Sequence, residues 1–97
     1  MPVYVLLMKY TDQGMKDIKN ATARIEEGFK AWEAMGGKVL GYYVLMGEYD
    51  CMAIGEGPSD EAATAFALGI SARGNVKTTT LKGFTKEEFA GILKKIP

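Results

Sequence analysis

Val39-Leu40-Gly41-Tyr42-Tyr43-Val44-Leu45-Met46-Gly47-Glu48-Tyr49-Asp50-Cys51-Met52-Ala53-Ile54 decides how this chain folds. Its two halves, Val39–Met46 and Tyr49–Ile54, are rich in aromatic and aliphatic residues and contain no proline, as strands do. Gly47-Glu48 stands between them, and Gly-X is the signature of a two-residue type II′ turn. The expectation is an antiparallel hairpin in the middle of the chain.

On its N-terminal side, Ile18, Ala21, Ile25, Phe29, Trp32 and Met35 recur at spacings of three and four. That is one face of a helix. Lys16, Lys19, Glu26, Glu27, Lys30 and Glu33 occupy the opposite face, and Gly36-Gly37 stops the pattern. Asn20 can serve as a second N-cap, so the helix can restart there. Further back, Val3–Tyr10 is a strand with two apolar faces, ended by Thr11-Asp12-Gln13-Gly14.

On the C-terminal side, Pro58-Ser59-Asp60-Glu61 opens a second helix. Ser59 is its cap, and the two acids suit the positive end of the dipole. Its apolar side is Ala62, Ala63, Phe66, Ala67 and Ile70, and Gly74 closes it. Val76–Phe84, rich in threonine and lysine, reads as an edge strand. Thr85-Lys86-Glu87-Glu88 is a capping box. The short terminal helix it opens carries Phe89, Ile92, Leu93 and Ile96 on one side.

The order is βαββαβ plus a terminal helix: an α+β, ferredoxin-like fold on a four-stranded antiparallel sheet, one domain over 1–97. Right-handed crossovers place both main helices on one sheet face. The other face is then open, yet Val3–Tyr10 and Val39–Met46 are apolar on both sides. Two such faces cover each other when two copies pack together, so the expectation is a homodimer or higher homo-oligomer.

Size and composition lead the same way. A chain of 97 residues buries about two thirds or less of its unfolded surface. One cysteine allows no internal disulfide, and the chain has no histidine, the usual ligand of zinc and haem. No cofactor and no metal site is expected. Twelve basic residues balance twelve acidic ones without a like-charged run, which argues against nucleic acid and anionic membranes. The N-terminus has no basic n-region or cleavage site, and the apolar runs fall short of the roughly 20 residues of a membrane span. The cytoplasm is the expected compartment.

Gly47-Glu48-Tyr49-Asp50 resembles the motif of the GYD-domain family. Thr11-Asp12-Gln13-Gly14, Gly74-Asn75-Val76 before a threonine-rich strand, and Phe84-Thr85-x-x-Glu88-Phe89 extend the resemblance over nearly the whole chain. It implies a dimeric α+β barrel, two ferredoxin-like sheets packed face to face. It implies no single activity, because wider relatives include cofactor-free monooxygenases, isomerases, haem proteins and ligand sensors, and fold does not choose among them.

Tyr49 and Asp50 have two readings. They can be a binding or proton-transfer pair at a pocket mouth. Equally, Asp50 can bond backbone N–H groups while Tyr49 packs at a subunit seam. Consecutive strand residues point to opposite faces, so the two share a pocket only if the hairpin end is bulged or twisted. Tyr10, Tyr43, Tyr49, Asp50, Arg73 and Asn75 are the candidate ligand-binding residues. The tyrosines suit a planar organic molecule, and Arg73 suits a carboxylate. Trp32 reads as core, and Cys51 as a buried inert thiol, with no cation or helix N-terminus near it in sequence. Gly55-Glu56-Gly57 lacks the third glycine of a dinucleotide loop and is followed by Asp60 and Glu61, which repel a pyrophosphate. Two functions remain. One is an oligomeric domain binding a protein partner or a small apolar or aromatic ligand. The other is a cofactor-independent isomerase or monooxygenase using Asp50 and a tyrosine.

Overall fold

The computed structural model describes residues 1–97. Its elements are β1 (Val3–Tyr10), α1 (Asp12–Lys16), a 3₁₀ turn (Ile18–Asn20), α2 (Ala21–Ala34), β2 (Lys38–Val44), β3 (Cys51–Glu56), α3 (Asp60–Ala72), β4 (Val76–Gly83) and α4 (Lys86–Leu93). The four strands form one antiparallel sheet in the order β2-β3-β1-β4. This is the expected ferredoxin-like α+β fold, with β4 at an edge. No helix is long and apolar enough to cross a membrane.

The caps fall where the sequence puts them. Ser59 Oγ accepts from Ala62 N at 3.1 Å. Thr85 and Glu88 close a reciprocal capping box, with Glu88 N donating to Thr85 Oγ1 at 3.1 Å and Thr85 N to Glu88 Oε1 at 2.8 Å. Gly74 ends the α3 segment at φ +84°, a conformation that glycine adopts without strain. Asn20 does occupy the N-cap position of α2, but its side chain donates to Asp17 Oδ1 and caps nothing.

The central hairpin differs from the expected two-residue turn. β2 ends at Val44 and β3 begins at Cys51. Leu45 N donates to Asp50 O at 2.9 Å, so Met46, Gly47, Glu48 and Tyr49 form a four-residue loop. The cause lies on the neighbouring strand. Asp50 N donates to Met8 O at 2.9 Å, and Asp50 Oδ2 accepts from Tyr10 N at 2.8 Å. Asp50 is fastened to β1, and the turn must close beyond it. A bulge between Val39 and Gly41 also displaces Leu40 from the ladder.

Residues opposite one another in the register share a sheet face. Tyr4, Leu6 and Met8 share theirs with Ala53, Cys51 and Tyr42. α2 and α3 cover this face, with Trp32, Ala63 and Ala67 buried against it. Val5, Leu7, Met52, Ile54, Tyr43 and Leu81 share the opposite face. Beyond the sheet, every residue from Phe84 to Pro97 is exposed, the apolar Phe89, Ile92, Leu93 and Ile96 among them.

Candidate functional site

A cavity of about 320 Å³ lies between the helix-covered sheet face and the two main helices. Leu6, Met8 and Tyr42 form its floor, and Phe29, Trp32 and Phe66 its aromatic walls. At one end the helices meet, where the rings of Trp32 and Phe66 stand 5.0 Å apart and tilted. The Tyr4 ring meets Trp32 edge-on at 6.4 Å.

Three glycines let Trp32 sit so deeply. A Cβ on Gly37, Gly55 or Gly57 would fall 2.3, 2.9 or 2.4 Å from an atom of the Trp32 indole. The indole lies against bare backbone and is buried. Gly55-Glu56-Gly57 therefore makes room for a side chain of this same chain.

The polar groups gather at the other end, where Tyr10, Arg24, Arg73 and Asn75 line the cavity. Both cations are paired. Arg24 Nη1 donates to Asp17 O at 2.9 Å and to Asp17 Oδ2 at 3.0 Å, and Arg73 Nη1 to Glu27 Oε2 at 3.4 Å. The mouth is polar without being strongly charged. Deeper in lie the Tyr10 and Tyr42 phenols and the Cys51 thiol, all three pushed up by burial first. They are neutral groups. The Tyr42 hydroxyl is fully buried, with the Cys51 thiol and the Tyr10 phenol as its polar neighbours.

Three of the four segments that carry the family resemblance converge here. Thr11 N donates to Asn75 O at 3.0 Å, and Thr11 Oγ1 donates to Gly74 O. Gln13 Nε2 donates to Arg73 O and to Asn75 Oδ1, both at 3.0 Å. A Cβ on Gly14 would lie 2.1 Å from Asn75 O, so this contact requires glycine. With Asp50 holding Tyr10 N, three motifs distant in sequence lock the C-terminal end of β1.

Of the six candidate ligand residues, the structure brings Tyr10, Arg73 and Asn75 to the cavity. Tyr43 stands on the open sheet face, 59% exposed. Tyr49 lies in the hairpin loop, with the Lys9 ammonium 5.2 Å from its ring centre. The Asp50 carboxylate is engaged by the Tyr10 backbone and does not line the cavity. A tyrosine hydroxyl does meet a carboxylate elsewhere: Tyr4 Oη donates to Asp60 Oδ1 at 2.6 Å, and Lys82 Nζ approaches the same oxygen at 3.0 Å. Burial, then Asp60, pushes the Tyr4 phenol up to about 12, while Tyr4 and then Lys82 hold Asp60 below its usual range. Asp60 opens α3 and lies outside the cavity lining. This trio ties α3 to β1 and β4. Arg24 escaped the sequence reading because nothing in the pattern separates it from the other polar residues of α2.

The GYD domain, as a family, matches residues 4–93 of this chain. The chain is also similar to a glutamine synthetase and cystathionine beta-lyase binding protein of Thermus thermophilus. The two are 28% identical over 95 residues, spanning 97% of this chain and 100% of the relative.

Proposed function

We propose that this chain, which belongs to the GYD-domain family, is a homodimeric cytoplasmic domain that binds protein partners. The observation that carries this is the apolar surface its own fold leaves uncovered. Phe89, Ile92, Leu93 and Ile96 form an exposed stripe on and just beyond α4. The open sheet face adds Val5, Leu7, Met52 and Ile54. Surface of this kind on a small domain marks an interaction site. A second copy covers the sheet face by sheet-on-sheet packing, and α4 remains for the partner. The relative's name supplies the class of partner: an enzyme such as glutamine synthetase or cystathionine beta-lyase.

The test is size-exclusion chromatography with light scattering on the purified protein, alone and mixed with each enzyme from the same organism. Alone, it should run at twice the 10.5 kDa chain mass or more. With a partner, both proteins should shift to one heavier peak, and Ile92→Glu should abolish the shift while leaving the dimer intact. A monomer at micromolar concentration would overturn the homodimer. The absence of a shift with both enzymes would overturn this choice of partner.

A further inference from the structure

We propose that α4 docks as a helix into an apolar groove on the partner enzyme, with carboxylates at the end of the groove that receives Lys94 and Lys95, and that the helix completes its order on docking. The inference rests on the assignment of α4 to the partner. It adds the form that α4 takes there and the chemistry that receives it.

Three observations support it. The first is the spacing of the exposed apolar residues. Phe89, Ile92, Leu93 and Ile96 stand at i, i+3, i+4 and i+7, the spacing with which an amphipathic helix fills a groove. The α-helix itself ends at Leu93. Lys95 N then donates to Ile92 O at 2.9 Å, and Ile96 N to Leu93 O at 3.3 Å. The chain winds on for one tighter turn, in which residues three apart lie one above the other, so Ile96 stays on the side of Leu93.

The second is Gly91, inside α4, where a Cβ would meet no atom within 4 Å. It stands two residues from both Phe89 and Leu93, about 200° round the helix from each. It therefore lies on the polar side, and no close approach at the apolar stripe explains it. Its effect is on the backbone: glycine lowers the population of a helix about two- to fivefold relative to alanine. In an exposed helix of eight residues, that leaves the capping box at Thr85 as the main local support. A segment of this kind gains order from the surface that receives it.

The third is charge. Glu88 is held by the Thr85 backbone within the cap. Lys82 is paired with Asp60, whereas Lys86, Lys94 and Lys95 have no ion pair in the chain. Lys94 and Lys95 directly precede Ile96, the last of the four anchors. Two unpaired ammonium groups beside an apolar stripe are complemented by carboxylates at that end of the partner's groove.

The probes are glutamine synthetase and cystathionine beta-lyase of the same organism, titrated calorimetrically with the full-length protein. Gly91→Ala should bind about two- to fivefold more tightly than the wild type, and Ala90→Gly should bind more weakly by a similar factor. Both changes leave the apolar stripe intact. Amides of Phe89–Leu93 should exchange rapidly in the free protein and at least about tenfold more slowly in the complex. Lys94→Glu combined with Lys95→Glu should weaken binding about threefold or more at low salt, and the difference should shrink in about 0.5 M NaCl. If Ile92→Glu abolishes binding while Gly91→Ala and Ala90→Gly bind as the wild type does, α4 remains the partner's surface and docking as a newly ordered helix is overturned. Unchanged affinity of the double lysine variant would overturn the acidic groove. Slow α4 exchange in the free protein that speeds up on dilution would place the helix between copies and overturn the proposal. No binding of the wild type to either enzyme would overturn the choice of partner, and this inference with it.

Discussion

The Asp50 carboxylate accepts a hydrogen bond from the Tyr10 backbone at 2.8 Å, joining the hairpin loop to the last residue of β1. Tyr10 leads directly into Thr11, which is bonded to Gly74 and Asn75. One carboxylate thus anchors the junction of three segments. Asp50→Asn keeps an acceptor oxygen but loses its charge, and should lower stability by about 1 kcal/mol. Asp50→Ala leaves Tyr10 N without a partner and should cost about 1–3 kcal/mol. Urea melts of both variants check this. Unshifted melts together with lost partner binding would move Asp50 from architecture to recognition.

Gly57→Ala should be among the more damaging single-methyl changes in this chain. The new Cβ would lie 2.4 Å from the Trp32 ring, which Tyr4 and Phe66 confine on other sides. Overpacking of this kind costs about 1–3 kcal/mol. Gly28→Ala is the matched control: its methyl enters open space, so it should stabilise by about 0.5–1 kcal/mol. Thermal melts moving in opposite directions are the expected result, and two equal shifts would remove the distinction between the Trp32 clamp and the cavity.

Stability should fall in alkali from about pH 10 upward. Tyr4 is pushed to about 12, and Tyr10 and Tyr42 also lie above the ordinary phenol value of 10.0. The folded state favours the protonated phenols, so their contribution is complete below pH 10, where unfolded tyrosine is still protonated. As pH climbs, the unfolded chain loses these protons first, and the contribution of Tyr4 is gone once pH passes about 12. Tyr4→Phe should flatten this decline. Melting midpoints between pH 9 and 12 decide the matter.

The elements were legible in the sequence wherever one residue's chemistry fixes the local backbone. Ser59 and Thr85 mark helix starts because a hydroxyl there meets a free N–H, and Gly74 marks a stop because few other residues take φ +84°. Strands β1 and β3 were legible from the apolar runs Val3–Met8 and Cys51–Ile54. The hairpin was misread because its length depends on Asp50 bonding a third strand, a contact 40 residues away. Of the cavity, only Tyr10, Arg73 and Asn75 were singled out from the sequence, and its walls were not. Gly28 and Gly69 are single interruptions in two helical patterns, and their shared location exists only after both helices pack on one face. Tyr10, Arg73 and Asn75 come together through the Thr11–Asn75 contact, which no periodicity encodes.

Thr85→Ala tests whether α4 stands free or is already covered. The helix has eight residues, all exposed, well below the roughly 12–15 residues at which an isolated helix becomes marginal. Its capping box therefore weighs heavily in its population. Loss of the Thr85 cap costs about 0.5–2 kcal/mol, which is roughly a 2- to 30-fold rise in amide exchange through the last turns of α4. The global melting midpoint should stay where it is, because the subunit buries no part of this helix in its own core. Thr85→Ser, which keeps the hydroxyl, should behave as the wild type. Binding to a protein partner should weaken in parallel with the exchange, since the partner must then order a frayed helix. A different outcome would be equally clear. If Thr85→Ala lowers the midpoint, and lowers it more at low protein concentration, α4 is packed within the homodimer and the partner must use another surface.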